Sequence, residues 1–198
     1  MIPVFDGHND LLLRFLTTSE AREAIWDGSE GKGHLDLPRM KAGGFVGGFF
    51  AIYIPSPHEE GALDRDTVEA MMDKPPYDLP LPAPIPVDQA APVALAMAGH
   101  LMALERTGTL KICKSVADIR GAMAEGRIAA IMHMEGAEAI GADLDALHVW
   151  HAAGLRSLGP VWSRPTVFGH GVPFRYPSSP DTGPGLTPAG KELVRECN

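Results

Sequence analysis

The residues best suited to chemistry are His8 and Asp10, which lie two positions apart near the N-terminus. They follow an apolar run, Ile2 to Phe5, that predicts a buried strand. Residues i and i+2 of an extended backbone project to the same side, so an imidazole nitrogen and a carboxylate oxygen can bind one cation. The alternative is that both residues only cap a following helix. Their position favours the metal, because α/β enzymes carry active-site residues at the carboxyl ends of parallel strands.

A second candidate is Glu135, which comes just after another apolar run, Ile128 to His133. A carboxylate in that place must be paired, hydrated or bound to metal, since an isolated buried charge is very costly. A bridging position between two metal ions would satisfy it. His133 could be a further ligand or a packed side chain, and we favour packing. The remaining acidic and histidine candidates are interpreted as solvent-exposed or without informative spacing: Glu138, His148, His151, His34, His58 and His100.

Composition and charge narrow the function classes. The chain has 198 residues, 45% hydrophobic and 21% charged, which is typical of a globular protein. Its 17 basic and 25 acidic side chains give a net charge of −8, which argues against nucleic acid and anionic lipid as partners. The two cysteines, Cys113 and Cys197, form no CxxC pattern and predict no disulfide framework. Without a signal-peptide pattern at the N-terminus, we expect a soluble, cytoplasmic protein with no membrane association.

Four strand-then-helix units are predicted, starting at Ile2, Phe45, Ile128 and Leu155. Their strands are apolar without alternation, which is typical of a parallel sheet in an α/β protein. Helices are predicted over residues 11–16, 34–42, 89–106, 115–126, 143–153 and 187–197. The proline-rich segment 73–92 predicts a surface excursion. A doubly wound sheet and a TIM barrel both fit, but a barrel needs eight units and about 250 residues, so four units would be half of one.

Four blocks of the sequence, in order, together resemble the renal (membrane) dipeptidase family of zinc metallopeptidases. The blocks are DGHNDL at 6–11, AGGFVGGFF at 42–50, EG at 135–136 and GLTPAGKELVRECN at 185–198. The resemblance implies a TIM (β/α)8 barrel of the metal-dependent hydrolase type. Residues 1–198 would be the N-terminal part of this single domain, carrying roughly its first four βα units. The implied reaction is hydrolysis of small dipeptides, including some with a C-terminal D-residue.

The resemblance also implies roles for individual residues. His8 and Asp10 correspond to ligands of a first zinc ion, and Glu135 to the catalytic carboxylate that bridges two zinc ions. A metal-bridging hydroxide would be the nucleophile. Two histidines for the second zinc and an aspartate for proton transfer are expected on later strands, beyond Asn198.

The sequence departs from the family pattern at Trp162, where family members commonly have a histidine that contacts the substrate. We predict His170, in a glycine-flanked loop, as a substrate-binding residue in its place. Two alternatives to the dipeptidase stay open. One is a different metal-dependent amidohydrolase that acts on N-acyl amino acids, and the other is a non-catalytic half-barrel fragment.

An open sheet carries unpaired backbone groups at its edges, and such edges promote association. We therefore expect a homo-oligomer. We also expect residues 1–198 alone to be inactive as a dipeptidase, and the working enzyme to continue past Asn198.

Overall fold

The computed structural model describes residues 2–56 and 65–198. In chain order the elements are β1 (Val4–Asn9), α1 (Leu11–Thr17), α2 (Arg22–Asp27), α3 (Leu37–Ala42), β2 (Phe45–Tyr53), α4 (Arg65–Met72), β3 (Tyr77–Asp78), α5 (Val87–Arg106), β4 (Leu110–Ile112), α6 (Val116–Ala124), β5 (Ile128–Glu135), α7 (Asp145–Ala153), β6 (Leu155–Gly159), β7 (Arg175–Tyr176) and α8 (Pro188–Glu196).

A five-stranded sheet dominates the fold. Its order is β1-β2-β5-β4, and β6 also pairs with β5. Strand β1 pairs with β2, and β4 with β5, in parallel. The four strands predicted from the sequence are β1, β2, β5 and β6, which confirms the α/β architecture. A second, antiparallel sheet joins β3 to β7.

The chain forms two compact units. Unit 1 comprises Met1–Tyr53, Pro92–Met134 and Leu147–Leu158, and unit 2 comprises Ile54–Ala91, Glu135–Ala146 and Gly159–Asn198. Unit 1 contains nearly all of the parallel sheet, and the boundary falls within the last residues of β5 and β6. Unit 2 contains the two-stranded sheet, α4, α8 and the long loop segments. The single domain over 1–198 stays a prediction.

The central strands of the parallel sheet carry the core. Phe50, Ala51 and Ile52 of β2 are fully buried, as are Ala129 and Met132 of β5. The prediction that the first strand is buried is wrong, because Val4 and Phe5 of β1 are 46% and 40% exposed. Among the described residues β1 pairs with β2 alone, so its other edge lacks a sheet neighbour.

The length and apolar composition of helix α5 do not distinguish a membrane-spanning helix from a core helix. It is long and apolar enough to cross a membrane, but core helices of globular proteins meet the same criterion. Its buried residues recur at helical spacing on one face: Ala90, Ala94, Met97, Leu101 and Leu104. The helix begins at Val87, two residues before its predicted start, so Asp88 is its second residue.

Helix α8 begins as predicted. The Thr187 hydroxyl accepts a hydrogen bond from the Gly190 backbone N–H at 3.1 Å and donates one to the Val167 carbonyl at 2.6 Å. The Thr187 N–H also donates to the Phe168 carbonyl at 3.0 Å. This N-cap therefore attaches the last helix to the loop that follows β6.

Gly190 provides a stability test of this attachment. A Cβ at Gly190 would collide with the Phe168 carbonyl oxygen, whereas a Cβ at Gly121 in α6 would meet nothing within 4 Å. We expect Gly190→Ala to destabilise the protein by about 2 kcal/mol. Gly121→Ala should instead stabilise it by up to about 1 kcal/mol, since alanine is the better helix former. Urea unfolding of both variants measures the difference, and equal stabilities would contradict the close approach.

Candidate metal centre

The candidate site lies at the carboxyl ends of strands β1 and β5. His8 is the penultimate residue of β1, Asp10 follows that strand directly, and Glu135 is the last residue of β5. Both strands flank β2 in one sheet, so their carboxyl ends share an edge. One ligand atom from each of the three residues lies within 4.8 Å of the others. The structure therefore brings together the three residues that the sequence analysis selected as metal ligands.

The distance between the ligand atoms of His8 and Asp10 suits zinc. His8 Nε2 lies 3.2 Å from Asp10 Oδ1. Two atoms bound about 2.05 Å from one zinc ion at a tetrahedral angle are roughly 3.3 Å apart. The donor set of one imidazole nitrogen and two carboxylates is also one that zinc accepts. These residues thus fit a divalent metal in spacing and in chemistry.

The capping alternative for Asp10 finds no support. Asp10 occupies the N-cap position of α1, but its side chain makes no capping hydrogen bond. Asn9 serves the helix start instead, because its Oδ1 accepts from the Leu11 N–H at 3.4 Å. The Asn9 amide also donates to Asp6 Oδ2 at 3.1 Å. The Asp10 carboxylate is therefore directed to His8 rather than to the helix.

His133 packs beside His8, in agreement with the interpretation we favoured. The two rings meet edge to face with centroids 6.0 Å apart, and the Phe49 ring lies 6.1 Å from His133 in the same manner. His133 Nδ1 is 2.8 Å from the Ser157 hydroxyl. Burial lowers the pKa of His133, and the nearby His8 lowers that pKa further. His133 is thus a neutral ring at neutral pH that restricts the His8 side chain.

The segment after Glu135 contains a buried ion pair that the sequence analysis missed. Glu138 and Arg164 have side-chain exposures of 1% and 0%, and Arg164 Nη1 donates to Glu138 Oε1 at 2.9 Å. The prediction that Glu138 is solvent-exposed is wrong, because the loop after β6 supplies a guanidinium 26 positions later. Burial raises the pKa of Glu138, although its own backbone N–H and Arg164 act in the opposite direction. The sequence does contain one indication of this pair. Glu138 lies among Ala137, Ala139 and Ile140, and a carboxylate in such an apolar segment needs a partner.

The other candidate residues lie elsewhere. His148 and His151 are exposed on α7, as predicted, and His58 lies outside the described residues. Trp162 is half-buried, and its ring packs edge to face on Phe174 at 5.6 Å. His170 is exposed, and its backbone N–H donates to the Gly185 carbonyl at 3.2 Å.

His170 lines a cavity of about 880 Å³ within unit 2. The wall also contains Val161, Asp181 and the ion-paired side chains of Asp78 and Arg175. A cavity of this size and mixed polarity can accept a small polar ligand. The assignment of His170 to substrate binding stays a prediction.

Comparison with known proteins gives a consistent picture. The family model for membrane dipeptidase (peptidase family M19) matches residues 1–198. An uncharacterised protein from the PQQ-III 3′ region of Acinetobacter calcoaceticus is 40% identical over 99% of this chain and 60% of its own length. Dipeptidase aclJ of Aspergillus oryzae is 26% identical over 100% of this chain and 42% of its own.

Two solved structures are similar throughout this chain. The metallopeptidase dipeptidase AC has a TM-score of 0.92 and 65% identity, over 100% of this chain and 55% of its own. A Rhodobacter sphaeroides metallopeptidase, solved with a phosphinate mimic of the dipeptide L-Ala-D-Ala, has a TM-score of 0.91 and 64% identity. The match covers 99% of this chain and 56% of that one. The chain thus spans a little over half the length of these relatives.

Proposed function

Because this chain belongs to the membrane dipeptidase family, peptidase family M19, we propose that it forms part of the active site of a zinc-dependent dipeptidase. The observation that carries this proposal is the convergence of His8, Asp10 and Glu135 at one edge of the sheet. The TIM barrel of the family accounts for the half-open parallel sheet, since this chain spans 55% of the dipeptidase AC chain.

His8 and Asp10 would hold a first zinc ion, and Glu135 would bridge it to a second. Bound zinc supplies Lewis acidity that activates a water molecule and polarises a peptide carbonyl. The two carboxylates would offset the positive charge of bound ions, and the His133 ring, which contacts Ser157, would help to keep the His8 imidazole in place. Catalytic zinc usually has three protein ligands, so a second ion needs ligands besides Glu135. We propose that the longer protein supplies them.

The substrate would be a small dipeptide, including dipeptides with a C-terminal D-residue. Support comes from the Rhodobacter metallopeptidase, which binds a mimic of L-Ala-D-Ala. His170 would contact the substrate from the wall of its cavity.

A substrate panel tests this proposal on the full-length protein that contains this chain. After zinc loading, we expect hydrolysis of L-Ala-D-Ala and L-Ala-L-Ala, loss of this activity on chelation, and recovery on return of zinc. N-acetyl-alanine of either hand should be a poor substrate. Preferential hydrolysis of the N-acetyl compounds would favour an amidohydrolase of another specificity, and activity unaffected by chelation would reject a metal mechanism.

A further inference from the structure

We propose that the buried Arg164–Glu138 pair positions Glu135 for metal binding. The inference rests on the proposed function, since it takes Glu135 to be a metal ligand. Arg164 and Glu138 are then positioning residues that act through the backbone of the segment between Glu135 and Glu138. All the contacts that carry the argument lie within unit 2.

Every residue that follows Glu135 in this segment is tied to a neighbouring element. The Gly136 N–H donates to the Gly159 carbonyl at 3.1 Å, and the Ala137 N–H donates to the Pro160 carbonyl at 3.3 Å. Glu138 then accepts from Arg164 at 2.9 Å. The segment just after the candidate ligand is therefore held by two backbone hydrogen bonds and then by the side chain of Glu138.

Arg164 extends this attachment to the end of β2. Its Nη1 also donates to the Ile54 carbonyl at 2.9 Å, and its Nη2 donates to the Ser56 hydroxyl at 2.6 Å. One guanidinium thus joins the segment after β2, the segment after β5 and the loop after β6. These are the carboxyl ends of strands, at the edge where Glu135 ends β5.

The local backbone also depends on this pair. Gly136 has a φ of +82°, a conformation that favours glycine, and a Cβ there would collide with the Glu138 carboxylate. The turn that follows Glu135 and the buried carboxylate therefore occupy adjoining space. Displacement of Glu138 would allow the turn, and with it the Glu135 backbone, to shift.

The buried pair is better suited to holding the ligand segment in position than to stabilising the fold. Removing two charges from water is costly, and well-packed apolar side chains of similar volume often replace a buried ion pair without loss of stability. Apolar side chains cannot reproduce directed hydrogen bonds to three separate acceptors. The planar guanidinium of Arg164 does so with fixed angles, which suits a role in holding a ligand in register.

Zinc affinity of the full-length protein tests this role, measured by competition with a chromophoric chelator. We expect Arg164→Lys, and the double variant Glu138→Leu with Arg164→Met, to weaken zinc binding by about tenfold, the lower end of the range seen when hydrogen-bonded partners of metal ligands are changed. Arg195→Lys is the matched control, because Arg195 forms an exposed ion pair with Glu192 on α8 in the same unit. It should leave zinc affinity unchanged.

Gly190→Ala controls for loss of stability in general, since its clash lies at α8 and involves none of the contacts around Glu135. It should bind zinc with wild-type affinity at temperatures below its unfolding. If Arg164→Lys fails to fold, the double variant Glu138→Leu with Arg164→Met decides, because it leaves no unpaired buried charge and removes the directed hydrogen bonds of the pair.

Three results would overturn the proposal. Wild-type zinc affinity in the folded double variant Glu138→Leu with Arg164→Met would show that the pair does not position Glu135. Equal weakening in Gly190→Ala would show that the effect is a general consequence of instability. Wild-type affinity in Glu135→Gln would refute the metal centre itself, and so separates failure of the proposed function from failure of the positioning role.

Discussion

Replacing Glu135 by Gln in the full-length protein is expected to lower kcat/KM for dipeptide hydrolysis by about a thousandfold or more. Glutamine keeps the shape of the side chain but removes the negative charge that would bridge two cations. Metal catalysis contributes several kcal/mol to transition-state stabilisation, and each 1.36 kcal/mol corresponds to a factor of ten in rate. His8→Ala should cause a loss of similar size by removing a ligand of the first ion. Steady-state kinetics with zinc in excess measures both.

Exposed residues of the same types provide the controls. Glu192 lies on α8 with a side-chain exposure of 62%, and His151 is exposed on α7. Glu192→Gln and His151→Ala should retain activity within a factor of two or so. Retention of most activity by Glu135→Gln after chelation and return of zinc would contradict the assigned role.

Arg164→Met is expected to destabilise the protein by about 3–5 kcal/mol, because it leaves Glu138 buried without its cation. The loss should depend on pH. The folded-state pKa of Glu138 is already raised by burial and is lowered by Arg164, so removal of Arg164 raises the folded-state pKa further. A carboxyl with a raised folded-state pKa favours folding below its unfolded pKa of about 4.5, and this contribution is lost as pH rises through the folded value.

Urea unfolding of wild type and Arg164→Met from pH 5 to pH 8 measures this effect. The difference in free energy of unfolding should grow as pH rises, since Glu138 ionises without a partner. Replacing both residues, as Glu138→Leu with Arg164→Met, should recover much of the lost stability. A difference that is constant with pH would show that the cost of Arg164→Met arises from packing and not from the buried carboxyl.

The metal centre could be predicted from the sequence because the residues that indicate it lie in short continuous segments. His8 and Asp10 share one short extended segment, and Glu135 ends an apolar run that any parallel sheet would bury. Parallel strands bring their carboxyl ends to one edge, so the convergence of the three residues follows from the strand pattern. The helix starts at Ser115 and Thr187 were likewise predictable, since each side chain caps its own helix.

The ion pair and the shortest elements could not be predicted in the same way. Glu138 and Arg164 lie 26 positions apart. No sequence pattern predicts that the segment after β5 contacts the loop after β6. Strand β4 has only three residues, Leu110–Ile112, which is too short for a period to show. The exposure of Val4 and Phe5 depends on how many strands flank β1. The apolar pattern of a strand does not predict that number.

Anomalous diffraction from crystals of the zinc-loaded full-length protein would show whether His8, Asp10 and Glu135 hold the metal. We expect zinc peaks at this end of the sheet, about 2.0–2.2 Å from a His8 ring nitrogen and from carboxylate oxygens of Asp10 and Glu135. Zinc bound elsewhere, with His8 still hydrogen-bonded to Asp10 and no peak among the three side chains, would contradict it.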